Sequence, residues 1–257
     1  MNSPSIASSV REALLSRFLR YVAIDTESDP TSTTYPSTEK QLDLLRLLRD
    51  ELIEMGVPEV RLLEKGYVMA QIPATPGYED RPALGLIAHA DTSPDFTGRG
   101  VRPQIIEDYD GSPIALGDTA VLTAREFPEL MELLGHTLIT TDGSTLLGAD
   151  DKAGVAEIME TVRYILAHPE LPHGKICIGF TPDEEIGKGV DFFDVKAFGA
   201  DFAFTVDGSR EGELEYENFN AASARVVAHG RSIHPGSAKG KMINALEAIY
   251  LLHAALP

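Results

Sequence analysis

The side chains of this sequence that can do chemistry are concentrated in four short motifs. They are HAD (His89, Asp91), GADDKAG (Asp150, Asp151, Lys152), PDEE (Asp183, Glu184, Glu185) and TVDG (Asp207). Together they offer one imidazole and several carboxylates, the donor set that a pair of zinc ions needs. His89 and Asp91 are two residues apart, so in extended backbone they point to the same side. Asp91 can then accept the ring N–H of His89 and leave the other nitrogen for a metal. Asp150 and Asp151 are adjacent, so one can face a metal while the other turns away, and Lys152 with the helix N-terminus beyond it favours ionised carboxylates. In extended backbone Glu184 and Glu185 also diverge, one toward a metal and one toward its water as general base. Taken singly, each motif has a plainer reading: a buried polar pair, a helix cap, an acidic turn after Pro182, and a turn start at Asp207. Four such clusters at four strand ends point to a metal-dependent active site.

Hydrophobic patterning supplies the elements that must position these groups. Apolar residues recur at helical spacing over about 10–24 and 38–56, and again in VAEIMETVRYILAH, which Pro169 ends. VRLLEKG, YVMAQIP, ALGLIAHA, KICIGFTPDEE and ADFAFTVDG read as strands, and TLITTDGSTLLGADD as a hairpin around Asp142-Gly143. This succession predicts an α/β domain with a largely parallel sheet, whose ligands bind beyond the carboxyl ends of the strands. From about residue 213 the pattern changes: ELEYENFNAASARVVAHG reads as extended, MINALEAIYLLHAAL as an amphipathic helix. That is half of a small α+β unit, the start of a second domain.

Composition narrows the function classes. The 257 residues carry 40 acidic against 22 basic side chains, a net charge of −18. No basic patch offsets this, which argues against nucleic acid or an anionic membrane as partner. No apolar run approaches a membrane span, and the N-terminus lacks the pattern of a secretory signal. The single cysteine, Cys177, lies in the apolar run KICIGF and reads as a buried, inert thiol suited to a reducing cytoplasm. Among the remaining histidines His234 stands out. It lies in SIHPGSAKGKMINA, an exposed loop with Lys239 and Lys241 that could offer donors to a substrate or an oxyanion.

The strings HADTSPD, ITTDGSTLLGADDKAG, FTPDEEIGKG, TVDG, EYENFNAASA and HPGSAKG closely resemble the peptidase T family, the tripeptide aminopeptidases among the dinuclear zinc exopeptidases. The resemblance implies a zinc-exopeptidase-like catalytic domain with an inserted α+β lid. Residues 1–218 would be the first part of the catalytic domain and 219–257 the beginning of an incomplete, dimerisation-type lid. It also implies that His89 and Asp207 bind one zinc, that Asp150 bridges two by its D-x-K spacing, and that Glu185 binds the second. Asp91 would orient His89, Glu184 would be the proton acceptor, and His234 would approach the substrate carbonyl from the lid. Chains of this family continue well beyond Pro257, through the last histidine ligand of the second zinc and basic groups that read the substrate's carboxylate. A chain truncated at Pro257 is therefore expected to bind the second zinc poorly and to have little peptidase activity alone. Tripeptides are the expected substrates and a homodimer through the lid the expected assembly. The rival readings are a related zinc amidohydrolase, such as a dipeptidase or an N-acyl-amino-acid deacylase, and a non-catalytic fragment with a partial metal site.

Overall fold

Helical spacing of apolar residues shapes the first two helices, α1 (Ser8–Val22) and α2 (Gln41–Glu54), in the computed structural model, which describes residues 8–256 apart from 119, 209, 211 and 219. In α2 the stripe Leu44, Leu45, Leu48 and Leu52 is fully buried. The chain continues through β1 (Glu59–Leu62), β2 (Val68–Ile72) and β3 (Leu84–His89). An excursion follows, with β4 (Pro103–Ile106), β5 (Ile114–Leu116), β6 (Ala120–Leu122) and β7 (Leu138–Thr141). Then come α3 (Ala149–Ala167), β8 (Ile176–Thr181), the short α4 (Val195–Phe198) and β9 (Phe202–Thr205).

Five strands form the main sheet in the order β1-β2-β8-β3-β9. The central strand β8 is buried at every position, as its unbroken apolar run requires. Val155, Ile158, Met159 and Val162 of α3 join α2 and the sheet residues Ala88, Ile178 and Phe180 in one core. Cys177 is fully buried within the sheet, as expected of an inert thiol.

The sheet is less parallel than the sequence suggests. β8–β3 and β3–β9 are parallel, but β1–β2 and β2–β8 are antiparallel. A tight turn explains the first of these: Leu63 N–H bonds Tyr67 O and Gly66 N–H bonds Leu63 O, a link too short for a crossover. The three strands that end in site motifs, β3, β8 and β9, run the same way. The expected hairpin around Asp142-Gly143 does not form. β7 pairs instead with β4, and the segment after Gly143 is held elsewhere, with Leu146 N–H on Thr97 O at 2.9 Å. That route carries the chain to Asp150 rather than back along β7.

The described residues divide into two units between Gly212 and Glu213. In the second, the stretch expected to be extended forms no strand among the described residues, and a single bridge joins Arg231 to Ile243. The expected first residue of the lid, Phe219, lies outside the described residues. The predicted last helix is α5 (Ala245–Ala255), capped by Asn244, whose side chain accepts from Leu246 N–H at 3.0 Å. No described residue of α5 is buried. Among the described residues no helix is long and apolar enough to cross a membrane.

Candidate metal centre

His89 ends β3 with its ring buried to 2% exposure. Its Nδ1 lies 3.0 Å from the backbone oxygen of Asp91 and 3.4 Å from that residue's Oδ1. Both acceptors fix the ring, so Asp91 orients it partly through its main chain. The other nitrogen, Nε2, faces carboxylates from three further segments: Asp150 Oδ1 at 2.9 Å, Asp207 Oδ2 at 3.8 Å and Glu184 Oε2 at 3.9 Å.

Each of these acids is held by local backbone. At the start of α3, Asp150 and Asp151 have non-helical torsions, and the peptide between them is cis. Their side chains separate: that of Asp150 is 71% exposed, whereas Asp151 is buried and its Oδ2 accepts the backbone N–H of His89 at 3.1 Å. Lys152 is buried beside them and donates to Ile24 O at 2.6 Å. Burial lowers its ammonium to about 8, against the pull of Asp25 and Asp91.

Glu184 and Glu185 sit in a 3-10 turn, Glu184–Ile186, rather than in extended backbone. Their side chains still diverge, since successive residues of such a turn are about 120° apart. Asp91 pins the turn by accepting both backbone N–H groups, from Glu184 at 2.9 Å and Glu185 at 3.2 Å. Asp207 follows β9 closely, and Val206 N–H bonds Ile87 O at 2.8 Å.

Among the described residues two sets of ligand atoms lie close enough to hold an ion. One is His89, Asp151 and Asp207; the other is His89, Asp150 and Glu185. Asp150, Glu185 and Asp207, singled out in the sequence, thus meet at His89. Asp151 joins them, although the D-x-K spacing of the family had favoured Asp150 of the adjacent pair as the ligand. Its only sequence signal was adjacency to Asp150. His234 belongs to the second unit, where its Nδ1 accepts from Gly236 N–H at 3.2 Å.

The donor set suits a dication. Burial raises Asp151 to about 8, against the pull of His89 and reinforced by repulsion from Asp207. Burial also raises Glu184, Glu185 and Asp207, with neighbouring carboxylates adding to each rise. Burial pulls His89 down, but the hydrogen bond and charge of Asp91, with Asp151 and Asp207, push it up to about 10. For the carboxyls, burial first and repulsion second thus favour the protonated form, as Asp91 does for His89, and a divalent ion would displace the protons.

This gives a pH dependence of definite sign. The raised His89 stabilises the fold fully below its ordinary 6.5, and that contribution is lost as pH rises through about 10. The raised Asp151 holds a proton that the unfolded chain gives up, so its contribution is lost from 3.8 through about 8. The metal-free chain should thus lose stability most steeply between about pH 6.5 and 8, where both contributions fall, while above about 8 the lowered Lys152 gains stability with pH and offsets the continuing His89 loss. Zinc should raise Tm more as pH rises over the steep range, about 2–4 °C for each kcal/mol of added binding energy. Thermal melts with and without zinc at a series of pH values measure this.

Known proteins resemble the chain in sequence and in fold. Residues 216–257 match the family described as peptidase dimerisation domain. Peptidase T of Clostridium acetobutylicum is 58% identical over 237 residues, covering 91% of this chain and 58% of that protein. Peptidase T of Geobacillus thermodenitrificans is 54% identical over 250 residues, 96% of this chain and 61% of that one. This chain therefore spans about six-tenths of the length of these relatives. In fold, aminopeptidase PepT of Bacillus cereus aligns with a TM-score of 0.62 at 24% identity, over 96% of this chain and 57% of that one. A tripeptidase of Staphylococcus aureus aligns with a TM-score of 0.53 at 25% identity, over 77% of this chain and 44% of that one.

Proposed function

The chain belongs to the peptidase T family over the length it spans, and from that premise we propose that it is the metal-binding part of a zinc-dependent, cytoplasmic aminopeptidase that releases the N-terminal residue of tripeptides. The observation that carries this reading is the convergence on His89 Nε2 of Asp150, Asp207 and Glu184, from three separate segments, beside the buried Asp151, whose carboxyl burial pushes up to about 8. His89 and Asp207 would hold one zinc, Asp150 would bridge to a second, and Glu185 would hold that one. Asp151, hydrogen-bonded to the backbone of His89, would fix both the imidazole and the start of α3. Bound zinc supplies Lewis acidity, which lowers the pKa of water toward neutrality and polarises a peptide carbonyl.

The remaining work falls to side chains. Asp91 holds the His89 ring and, through the N–H groups of Glu184 and Glu185, the turn that carries both glutamates. Glu184, raised by burial and by Asp207 and Asp91, would take the proton of the attacking water and return it to the leaving amine. His234 would approach the substrate carbonyl from the lid, residues 219–257, which would also join two copies into a homodimer. That last expectation rests on the dimerisation-domain match over residues 216–257.

The test uses the chain extended by the C-terminal portion that its relatives carry, loaded with zinc. It should release the N-terminal residue from unblocked tripeptides and leave N-acyl amino acids and dipeptides almost untouched. Preference for an N-acyl amino acid would replace the aminopeptidase by a deacylase.

A further inference from the structure

Of the three acids in PDEE, Asp183 has no part in the chemistry above, yet it is the most completely enclosed. Its side chain has no exposed surface. Its carboxylate accepts from Ser37 N–H at 2.8 Å, from Gln41 Nε2 at 2.7 Å and from the Ser37 hydroxyl. Its backbone N–H donates to Gln41 Oε1 at 3.1 Å, and its carbonyl accepts from Lys188 N–H at 2.9 Å. Ser37 and Gln41 are themselves buried, at the entrance to α2, so the grip comes from the helical layer and not from the sheet.

The backbone of Asp183 is left-handed, with φ 57° and ψ 27°. Side chains other than glycine, asparagine and aspartate rarely adopt that conformation. It reverses the chain directly before Glu184. Immediately afterwards the N–H groups of Glu184 and Glu185 reach the two oxygens of Asp91. From the far side Gly189 closes on the same residue: a Cβ there would stand 3.1 Å from Glu184 Cα. The two glutamates are therefore fixed between β3, the loop at Gly189 and the entrance to α2.

We propose that Asp183 is a positioning residue, whose buried carboxylate, gripped by Ser37 and Gln41, sets the placement of Glu184 as proton acceptor and of Glu185 as metal ligand. This rests on the aminopeptidase reading above. A buried carboxylate with complete donors is costly to assemble and sensitive to loss of charge, because its partners are all donors. Asparagine tolerates the left-handed backbone but sets an amide N–H₂ among those donors.

The experiment compares Asp183→Asn with Leu52→Ala in the zinc-loaded, C-terminally completed chain. Leu52 is fully buried near the far end of α2 from Gln41, so its truncation lowers stability at a distance from the grip on Asp183. For Asp183→Asn, kcat on a tripeptide should fall about tenfold to a hundredfold with KM nearly unchanged, and the acid limb of the kcat/KM pH profile should move. Leu52→Ala should lower Tm and leave both readouts in place. The cobalt-substituted proteins give a readout independent of turnover: the visible spectrum should change in Asp183→Asn and not in Leu52→Ala. Wild-type kcat, pH profile and cobalt spectrum in Asp183→Asn would overturn the proposal, as would equal changes in Leu52→Ala. If the unmutated completed chain cleaves no tripeptide, the aminopeptidase reading falls, and the cobalt spectra alone decide the role of Asp183.

Discussion

In the proposed aminopeptidase, assayed as the chain extended by its relatives' C-terminal portion, replacing Glu184 by Gln should lower kcat on a tripeptide by about 10²- to 10⁴-fold and leave the zinc content unchanged. Glu184 is the acid that reaches toward His89 Nε2, at 3.9 Å, yet belongs to neither set of close ligand atoms. Its side chain is 52% exposed, so water can reach it, while its backbone is tied to Asp91. The substitution keeps size and shape but puts a non-basic amide where the basic oxygen stood. Glu185→Gln should behave differently, because its carboxylate belongs to the set with His89 and Asp150. Zinc retention should fall along with kcat. Steady-state kinetics paired with metal analysis separates the two, and a Glu184→Gln protein that keeps its turnover would remove Glu184 from the role of base.

Gly154→Ala should damage the site without altering any acid. A Cβ at Gly154 would stand 1.8 Å from Val206 O and 2.4 Å from Asp151 Oδ1. The glycine lets α3 lie directly against the chain that leads from β9 into Asp207. A methyl group must drive these apart, and overpacking commonly costs about 1–3 kcal/mol. Here the obstacle is backbone that cannot rotate away, so the upper end of that range is expected. Zinc affinity should fall at least about tenfold, since Asp151 and Asp207 move relative to His89. Gly208→Ala provides the control on the other side of Asp207, because nothing lies within 4 Å of a Cβ there. Denaturant unfolding and zinc titration of the two variants should diverge clearly. Equal behaviour would mean that the close approach at Gly154 does not set the site.

Much of this arrangement is written locally. The α2 stripe Leu44, Leu45, Leu48, Leu52 has a helical period, and Ile176–Phe180 of β8 form a continuous run without a polar side chain, so both elements could be read from the chain. Because β3, β8 and β9 run the same way, the motifs that follow them share one edge of the sheet, and His89, Glu184, Glu185 and Asp207 could be grouped without coordinates. What stayed hidden depends on partners remote in sequence. Whether Asp150 or Asp151 turns inward is decided by backbone torsions at the start of α3 and by the N–H of His89, 62 residues away. The grip on Asp183 comes from Ser37 and Gln41, more than 140 residues distant. The glycine in DDKAG reads as a weak helix former until the end of β9 is laid against it. The hairpin expected at Asp142-Gly143 failed for a similar reason: the turn signal is sound, but β4 offers β7 a better partner.

In the proposed arrangement the four motifs form one metal site built on His89. A zinc-edge anomalous difference map from crystals of this chain soaked in zinc tests it most directly. A peak should appear bonded to His89 Nε2 and to a carboxylate oxygen of Asp207, and it should disappear in His89→Ala. A map with no peak beside His89, or with the same peak surviving in His89→Ala, would contradict it.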